Sequence, residues 1–288
     1  VSLLALVLPS LSWVYGQQEG SAPATAPAAA SRVWLDPDGN PTPFASDEEL
    51  MEFLRTARVV RIREIPQGVT RPRKVLLEKD GMRLNAVFRD VEEEKSIMTF
   101  ASGRSEIGFR DSYLFEAAAY QLSRLLGLDN VPPTLLRRIE GKSGSIQVWV
   151  ENVMTETSRQ KNKIEPPELD RWNRQMYIMW VFDALVQNTD RNLGNVLIDP
   201  NWKVWMIDHT RAFRRSEELE NLQRMTRCER TLWEKLQTLD EATVREQVKP
   251  FLRSWEIDAL LVRRQKLVEH FQKLIEEKGE EQVLYTLP

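Results

Sequence analysis

The chain has 288 residues, 42% of them apolar, with 40 basic and 43 acidic side chains and a net charge of −3. That is enough for one large domain or two lobes around a cleft. The mixed charges, without a concentrated basic stretch, argue against a general nucleic-acid binder. A single cysteine, Cys228, excludes an intramolecular disulfide, and the two histidines, His209 and His270, lie too far apart in sequence to suggest a Cys/His zinc site.

Residues 1–15 form an uncharged apolar run with the length of a signal-peptide core, followed by Gly16 and a polar stretch that suits cleavage. The expectation is export, to a bacterial periplasm or beyond, in keeping with so little cysteine. Left uncleaved, the segment would anchor the chain to a membrane; a buried helix is the third reading, and Pro9 counts against it. Residues 17–31 are rich in Ala, Pro and Ser and cannot build a core, so the linker is taken to span 17–45.

Ser46 with Glu49 makes a capping box for a helix over 47–57. Strands are predicted over 58–65, 73–78 and 83–91, with Asp80-Gly81 as a hairpin turn. Residues 92–110 are polar and charged and are expected to be a loop. Phe115, Ala118, Ala119, Leu122, Leu125 and Leu126 recur at helical spacing, predicting a helix over 112–126 closed by Gly127. After Val131-Pro132-Pro133 comes a strand over 146–150, a loop over 155–168, and a long helix over 168–187. Two short strands, 196–198 and 203–207, flank a turn at Asp199-Pro200-Asn201-Trp202. Helices are predicted over 216–226, 228–237, 241–249 and 254–278, the third with a Thr238/Glu241 capping box. Cys228 reads as a half-exposed structural thiol. The fold class is therefore α+β and two-lobed: a β-rich N-lobe over 46–150 and a larger α-helical C-lobe over 151–288.

The chemistry concentrates in residues 188–213, NTDRNLGNVLIDPNWKVWMIDHTRAF. Asp190 ends a helix, Asn195 opens a strand five residues later, and Asp208 follows the second strand. One hairpin end thus gathers two carboxylates and an amide. Phosphoryl transfer uses such a set: one carboxylate for the attacking hydroxyl, a second carboxylate and an amide for magnesium. The spacing equals that of a kinase catalytic loop and its metal-binding aspartate. Asp190 is the candidate catalytic residue, and Asp208 and Asn195 are the candidate metal ligands. The bland alternative makes Asp190 and Asn195 turn residues and Asp208 a cap.

DRNLGN followed by WMIDHTRAF resembles the atypical kinases: phosphatidylinositol kinases, HipA-like toxin kinases and the secretory-pathway kinases of casein-like proteins. FEAAAYQLSRLLGLDNVPPT resembles the segment of the secretory kinases that carries a helix glutamate, and the likeness is nearest to a bacterial branch of this group. The resemblance implies a kinase fold, ATP with Mg²⁺ or Mn²⁺, and an acceptor hydroxyl on a protein or glycan. It also implies that Glu116 pairs with a strand cation over the nucleotide phosphates. AVFRDV stands where the family has a lysine, so that cation is Arg89, or Lys74 on the preceding strand; an arginine there is not a conservative exchange. The family's histidine after Asp-Arg is Asn192 here, and no GxGxxG loop is present; Gly68 would close over the phosphates. Residues 147–154, with Trp149, Val150 and Glu151, are the candidate hinge against adenine. Arg211, Arg214 and Arg215 would orient an acidic acceptor or lie in solvent. The departures keep two other readings open: a pseudokinase that binds nucleotide or a partner, or transfers AMP, and a non-enzymatic interaction domain.

Overall fold

A computed structural model describes residues 33–66, 71–99, 103 and 105–287. The apolar N-terminal run, most of the linker and Gly68 lie outside them. Trp34, in the stretch taken as linker, is buried against Trp205 with ring centroids 5.3 Å apart.

Helix α1 (Asp47–Thr56) starts where Ser46 Oγ accepts from Glu49 N and the Glu49 carboxylate accepts from Ala45 N. Strands β1 (Arg58–Glu64), β2 (Arg73–Lys79) and β3 (Met82–Arg89) run antiparallel. Asp80 and Gly81 turn β2 into β3 at φ 52° and 76°, the geometry that a two-residue hairpin of this hand needs. The expected loop over 92–110 is instead a hairpin, β4 (Glu92–Thr99) with β5 (Ser105–Ser112). It forms a separate two-stranded sheet with most of β4 exposed, so no buried face writes an apolar alternation into its sequence.

Helix α2 (Leu114–Leu125) buries Phe115, Glu116, Ala118, Ala119 and Leu122. Strand β6 (Thr134–Ile139), which the sequence pattern does not announce, precedes β7 (Lys142–Val148). The main sheet has the order β1-β2-β3-β7-β6. Its two faces differ. Val75, Leu77, Leu84, Ala86, Phe88, Ile146 and Val148 share an apolar core with Leu50, Phe53 and Leu54 of α1. By the antiparallel register, the opposite face carries Lys74, Leu76, Asn85, Val87, Arg89, Ser145 and Gln147. The second face therefore brings charge and amide groups to the inner side of the sheet.

Strand β8 (Met154–Thr155) leads into α3 (Glu156–Lys161), a helix in the expected 155–168 loop, capped by Thr155. Helix α4 (Leu169–Val186) is followed by a 3-10 turn at Leu193–Asn195 and the strands β9 (Val196–Ile198) and β10 (Val204–Met206), which with β8 make a three-stranded sheet. The helix expected over 216–226 is absent except for a 3-10 turn at Leu222–Arg224. A side chain engages the first carbonyl of that segment and another just before it: the fully buried Arg263 donates through Nη1 to Ser216 O (2.6 Å) and to Arg214 O (3.0 Å). Strand β11 (Cys228–Glu229) takes the start of the next expected helix, and α5 is Arg230–Thr238. Helices α6 (Glu241–Val248), α7 (Ser254–Lys278) and α8 (Glu280–Val283) follow, and β12 (Leu284–Tyr285) pairs in parallel with β11. Asp240, not Thr238, caps α6 by accepting from Thr243 N; the Thr238 hydroxyl donates to Glu234 O within α5. Cys228 is fully buried rather than half-exposed, and burial pushes its thiol well up, as for a packing residue. The core of this half is built from α2, α4 and α7 with β9 and β10.

One glycine controls the approach of β7 to β3. A Cβ on Gly144 would stand 2.4 Å from Arg89 O and 2.5 Å from the Phe88 ring. Gly144→Ala is therefore expected to destabilise the chain by about 1–3 kcal/mol, read as a lower midpoint in urea unfolding. An unchanged midpoint would show that β3 yields without cost.

Candidate functional site

Helix α4 stops because Gln187 adopts a left-handed conformation (φ 48°). The chain then turns through Asn188 and Thr189 to Asp190, and Asn192 caps the 3-10 turn by accepting from Gly194 N at 2.8 Å. Arg191 ties this loop down. Its Nε and Nη2 donate to the two carboxylate oxygens of Asp183 (2.8 and 2.9 Å), and its Nη1 donates to Asn195 O and Ile207 O (2.9 and 2.5 Å). Asn195 O also accepts from Ile207 N at 3.2 Å. The start of β9 and the end of β10 are thereby held side by side, with Asp208 next in the chain. Asp208 is left-handed (φ 61°), a backbone that Asp and Asn adopt more readily than most side chains other than Gly.

Glu116 of α2, with no exposed surface, sits at the junction of the two halves. Arg89 Nε lies 3.4 Å from Glu116 Oε1 and 3.8 Å from Asp208 Oδ1. His209 N donates to Glu116 Oε1 at 3.1 Å, and the buried His209 ring places Nδ1 3.7 Å from Oε2. Arg191 Nη2 contacts His209 Nε2 at 3.0 Å; because arginine can only donate, Nε2 is the acceptor and the ring proton is on Nδ1. Burial alone would raise the Glu116 carboxyl, but the Arg89 guanidinium and the His209 ring and backbone N–H reverse this and hold it at about 2. Asp208 moves the other way. Burial pushes its carboxyl up, and the nearby Glu116, Asp111 and Asp190 carboxylates add to that against the pull of Arg89.

The strand cation beside Glu116 is thus Arg89, and Lys74 does not take that place. Lys74 Nζ lies 3.8 Å from Glu151 Oε1 and 4.0 Å from the centroid of the Trp149 ring. Asn85 Nδ2 donates to the same Glu151 oxygen at 2.6 Å, and Trp149 N donates to Asn85 O at 3.0 Å. Trp149, Val150 and Glu151 therefore form a connection between β7 and β8 fastened to β2 and β3. Asp190 is about half exposed (47%), with Arg211 Nη1 3.3 Å from its Oδ2. Of the basic run, Arg214 is buried and engaged by Glu106 and Arg110 O, and Arg215 stacks on Trp255. The sequence pattern did not single out Asp183, Arg191, His209 or Asp111. Arg191 lies inside the DRN motif, whereas the others carry no local signal.

Arg89 Nε and Nη1 are buried donors without an aligned hydrogen-bond partner, and the buried carboxylate acceptors Asp111 Oδ1 and Glu116 Oε2 lack one too. Unsatisfied buried donors of this kind fit an anionic ligand such as a phosphate group. Among the described residues, no group of three or more His, Cys, Asp or Glu side chains could hold a metal ion unaided. A cation on Asp208 and Asn195 would therefore complete its oxygen shell from phosphate and water, the usual arrangement for Mg²⁺ in phosphoryl transfer.

A β-rich lobe, a buried helix glutamate paired with a strand cation, and a loop leading into a hairpin ended by aspartate make up a kinase-like fold. It is similar to hydra Fam20 solved with sugar, with TM-score 0.64, 16% identity, and coverage of 84% of this chain and 94% of that one. It is also similar to the Golgi casein kinase with Mn/ADP bound, with TM-score 0.58, 17% identity, and coverage of 84% and 80%. No protein-family profile matches the chain, and no curated protein sequence matches it.

Replacing Glu116 should expose its structural load. Its folded-state carboxyl titrates below the unfolded one, so its stabilisation is complete above about pH 4.5 and is lost as pH falls towards 2. Glu116→Gln should cost about 3 kcal/mol near neutrality by removing the nearer of the two carboxylates that compensate Arg89, and should flatten the acid limb of stability in that window. An acid limb of unchanged steepness would assign it to other carboxyls.

Proposed function

We propose that the chain is an atypical kinase, an ATP- and metal-dependent phosphotransferase acting on a hydroxyl of a protein or glycan. The observation that carries this reading is the buried Glu116 holding Arg89 beside Asp208, with Arg89 donors left unsatisfied at the end of the β9–β10 hairpin. The Mn/ADP bound to the Golgi casein kinase and the sugar bound to hydra Fam20 support a nucleotide with Mg²⁺ or Mn²⁺ and a hydroxyl-bearing acceptor.

In this reading Arg89 binds phosphate oxygens and Glu116 keeps it oriented. Trp149, Val150 and Glu151 border the adenine. Asp208 and Asn195 hold the metal, which when bound neutralises charge on the phosphates. Asp190 orients the acceptor hydroxyl and takes its proton as the new O–P bond forms and the bond from the γ-phosphorus to the ADP oxygen breaks. The apolar run at residues 1–15 and the Golgi kinase of the same fold support work outside the cytoplasm. Among the described residues no helix is long and apolar enough to cross a membrane, so membrane attachment rests on the N-terminal segment.

A second reading has its own observation. Arg89 Nε lies within 3.8 Å of Asp208 as well as 3.4 Å from Glu116, so the guanidinium already neutralises the metal carboxylate. That favours a pseudokinase that binds nucleotide or a partner, or a site that transfers AMP.

Thermal unfolding of the full chain with ATP and Mn²⁺, at about a hundred times the dissociation constant, should rise by about 5–10 °C. Asp208→Asn should abolish the rise. Without ligand the variant should be no less stable than the wild type, because its folded-state carboxyl is pushed up and asparagine tolerates φ 61°. A rise without metal, with no transfer to any acceptor, would select the pseudokinase. No rise at saturating nucleotide would remove the nucleotide site.

A further inference from the structure

Phosphoryl transfer beside Asp190 needs a cation for the transferred group. In the catalytic loop itself the available cation is Arg191, and it is spent internally: Asp183, Asn195 O, Ile207 O and His209 take its guanidinium, leaving its side chain 9% exposed. Arg89, which the proposed function gives to phosphate oxygens, stands against Glu116 and Asp208 and not against Asp190, and Lys74 pairs with Glu151. The guanidinium in contact with Asp190 comes from the segment after Asp208 and belongs to Arg211.

Arg211 has one fixed end and one exchangeable end. Its Nε donates to Asp111 Oδ2 at 2.7 Å, and Asp111 is 1% exposed. Its Cζ lies 5.9 Å from the centroid of the Phe109 ring. The strand bearing both residues is anchored in turn: Ser112 N donates to Thr210 O at 2.8 Å, and Arg110 ion-pairs with Glu256 of α7 at 3.0 Å. The other end, Nη1 to Asp190 Oδ2, is a longer contact of 3.3 Å to a carboxylate that is 47% exposed. An exposed pair of that kind contributes little, whereas a multiply charged phosphate offers the planar fork a stronger, bidentate partner.

We propose that Arg211 is the γ-phosphate cation of this site. Held by Asp111, it leaves Asp190 for the terminal phosphate when a nucleoside triphosphate binds, and so acts as an arginine finger supplied in cis. Asp190 is then released to the acceptor hydroxyl. This inference rests on the nucleotide site proposed above. It adds that the β4–β5 hairpin, through Asp111, is part of triphosphate recognition.

The test separates the third phosphate from the rest of the nucleotide. Full-length wild type, Arg211→Met and Arg211→Lys are titrated with ADP and with the non-hydrolysable β,γ-imido analogue of ATP, each with Mn²⁺, by calorimetry. Loss of one charge-assisted contact should weaken the triphosphate analogue by about tenfold or more in Arg211→Met, with ADP affinity within about twofold of wild type. Arg211→Lys keeps a charge for Asp111 and should show a smaller loss with the same selectivity; it carries the test alone where the Met variant fails to fold. Equal weakening of both nucleotides, or of neither, would overturn the assignment while the nucleotide site stands. Failure of the wild type to bind either nucleotide would remove the nucleotide site and this inference with it.

Discussion

The structure turns on a single buried carboxylate. Glu116 has no exposed surface, and an ion in that position is tolerated only if its surroundings return what it loses on leaving water. The surroundings come from both halves of the molecule: Arg89 from the sheet, and the His209 backbone and ring from beyond β10. The chain of partners continues through Arg191 to Asp183 on α4. Sheet, internal helix, catalytic loop and long helix are therefore registered against one another through alternating charges and donors. Glu116 is held in place by these side chains and the His209 backbone.

What the sequence made legible was whatever leaves a period or a spacing. Helices α1, α2, α4 and α7 have apolar stripes, and the Asp80-Gly81 hairpin and the Asp190, Asn195 and Asp208 spacing are written in adjacent residues. The β4–β5 hairpin was not legible because much of it is wet on both faces, so neither alternation nor an apolar run marks it. The segment over 216–226 misled for the opposite reason. Its composition suits a helix, but Arg263, nearly fifty residues further on in the sequence, engages its first carbonyl and another just before it. Long-range capture of backbone groups has no local signature.

The site followed the same rule. Glu116 and the three hairpin-end residues could be named from pattern and resemblance, but the choice between Arg89 and Lys74 could not, because both face the same side of the sheet. Proximity settles it: Lys74 sits over Trp149 at the connection to β8, one end of the inner face, and Arg89 at the other. Asp111 and His209 were invisible since each matters through a partner distant in sequence, Arg211 and Glu116 respectively.

Arginine in place of lysine has a physical consequence beyond keeping the charge. A lysine ammonium is a compact point charge that can be centred on one carboxylate. The Arg89 fork instead spans two, Glu116 and Asp208, and leaves Nε and Nη1 without aligned acceptors. It thereby places positive charge beside Asp208 as well as Glu116. Arg211 covers Asp190 in a similar way. Asp208 and Asp190 are thus each screened by an arginine whose other contact is a buried carboxylate. The mutual repulsion of Asp208, Asp190, Asp111 and Glu116 is offset by the guanidinium groups of Arg89 and Arg211 placed against them.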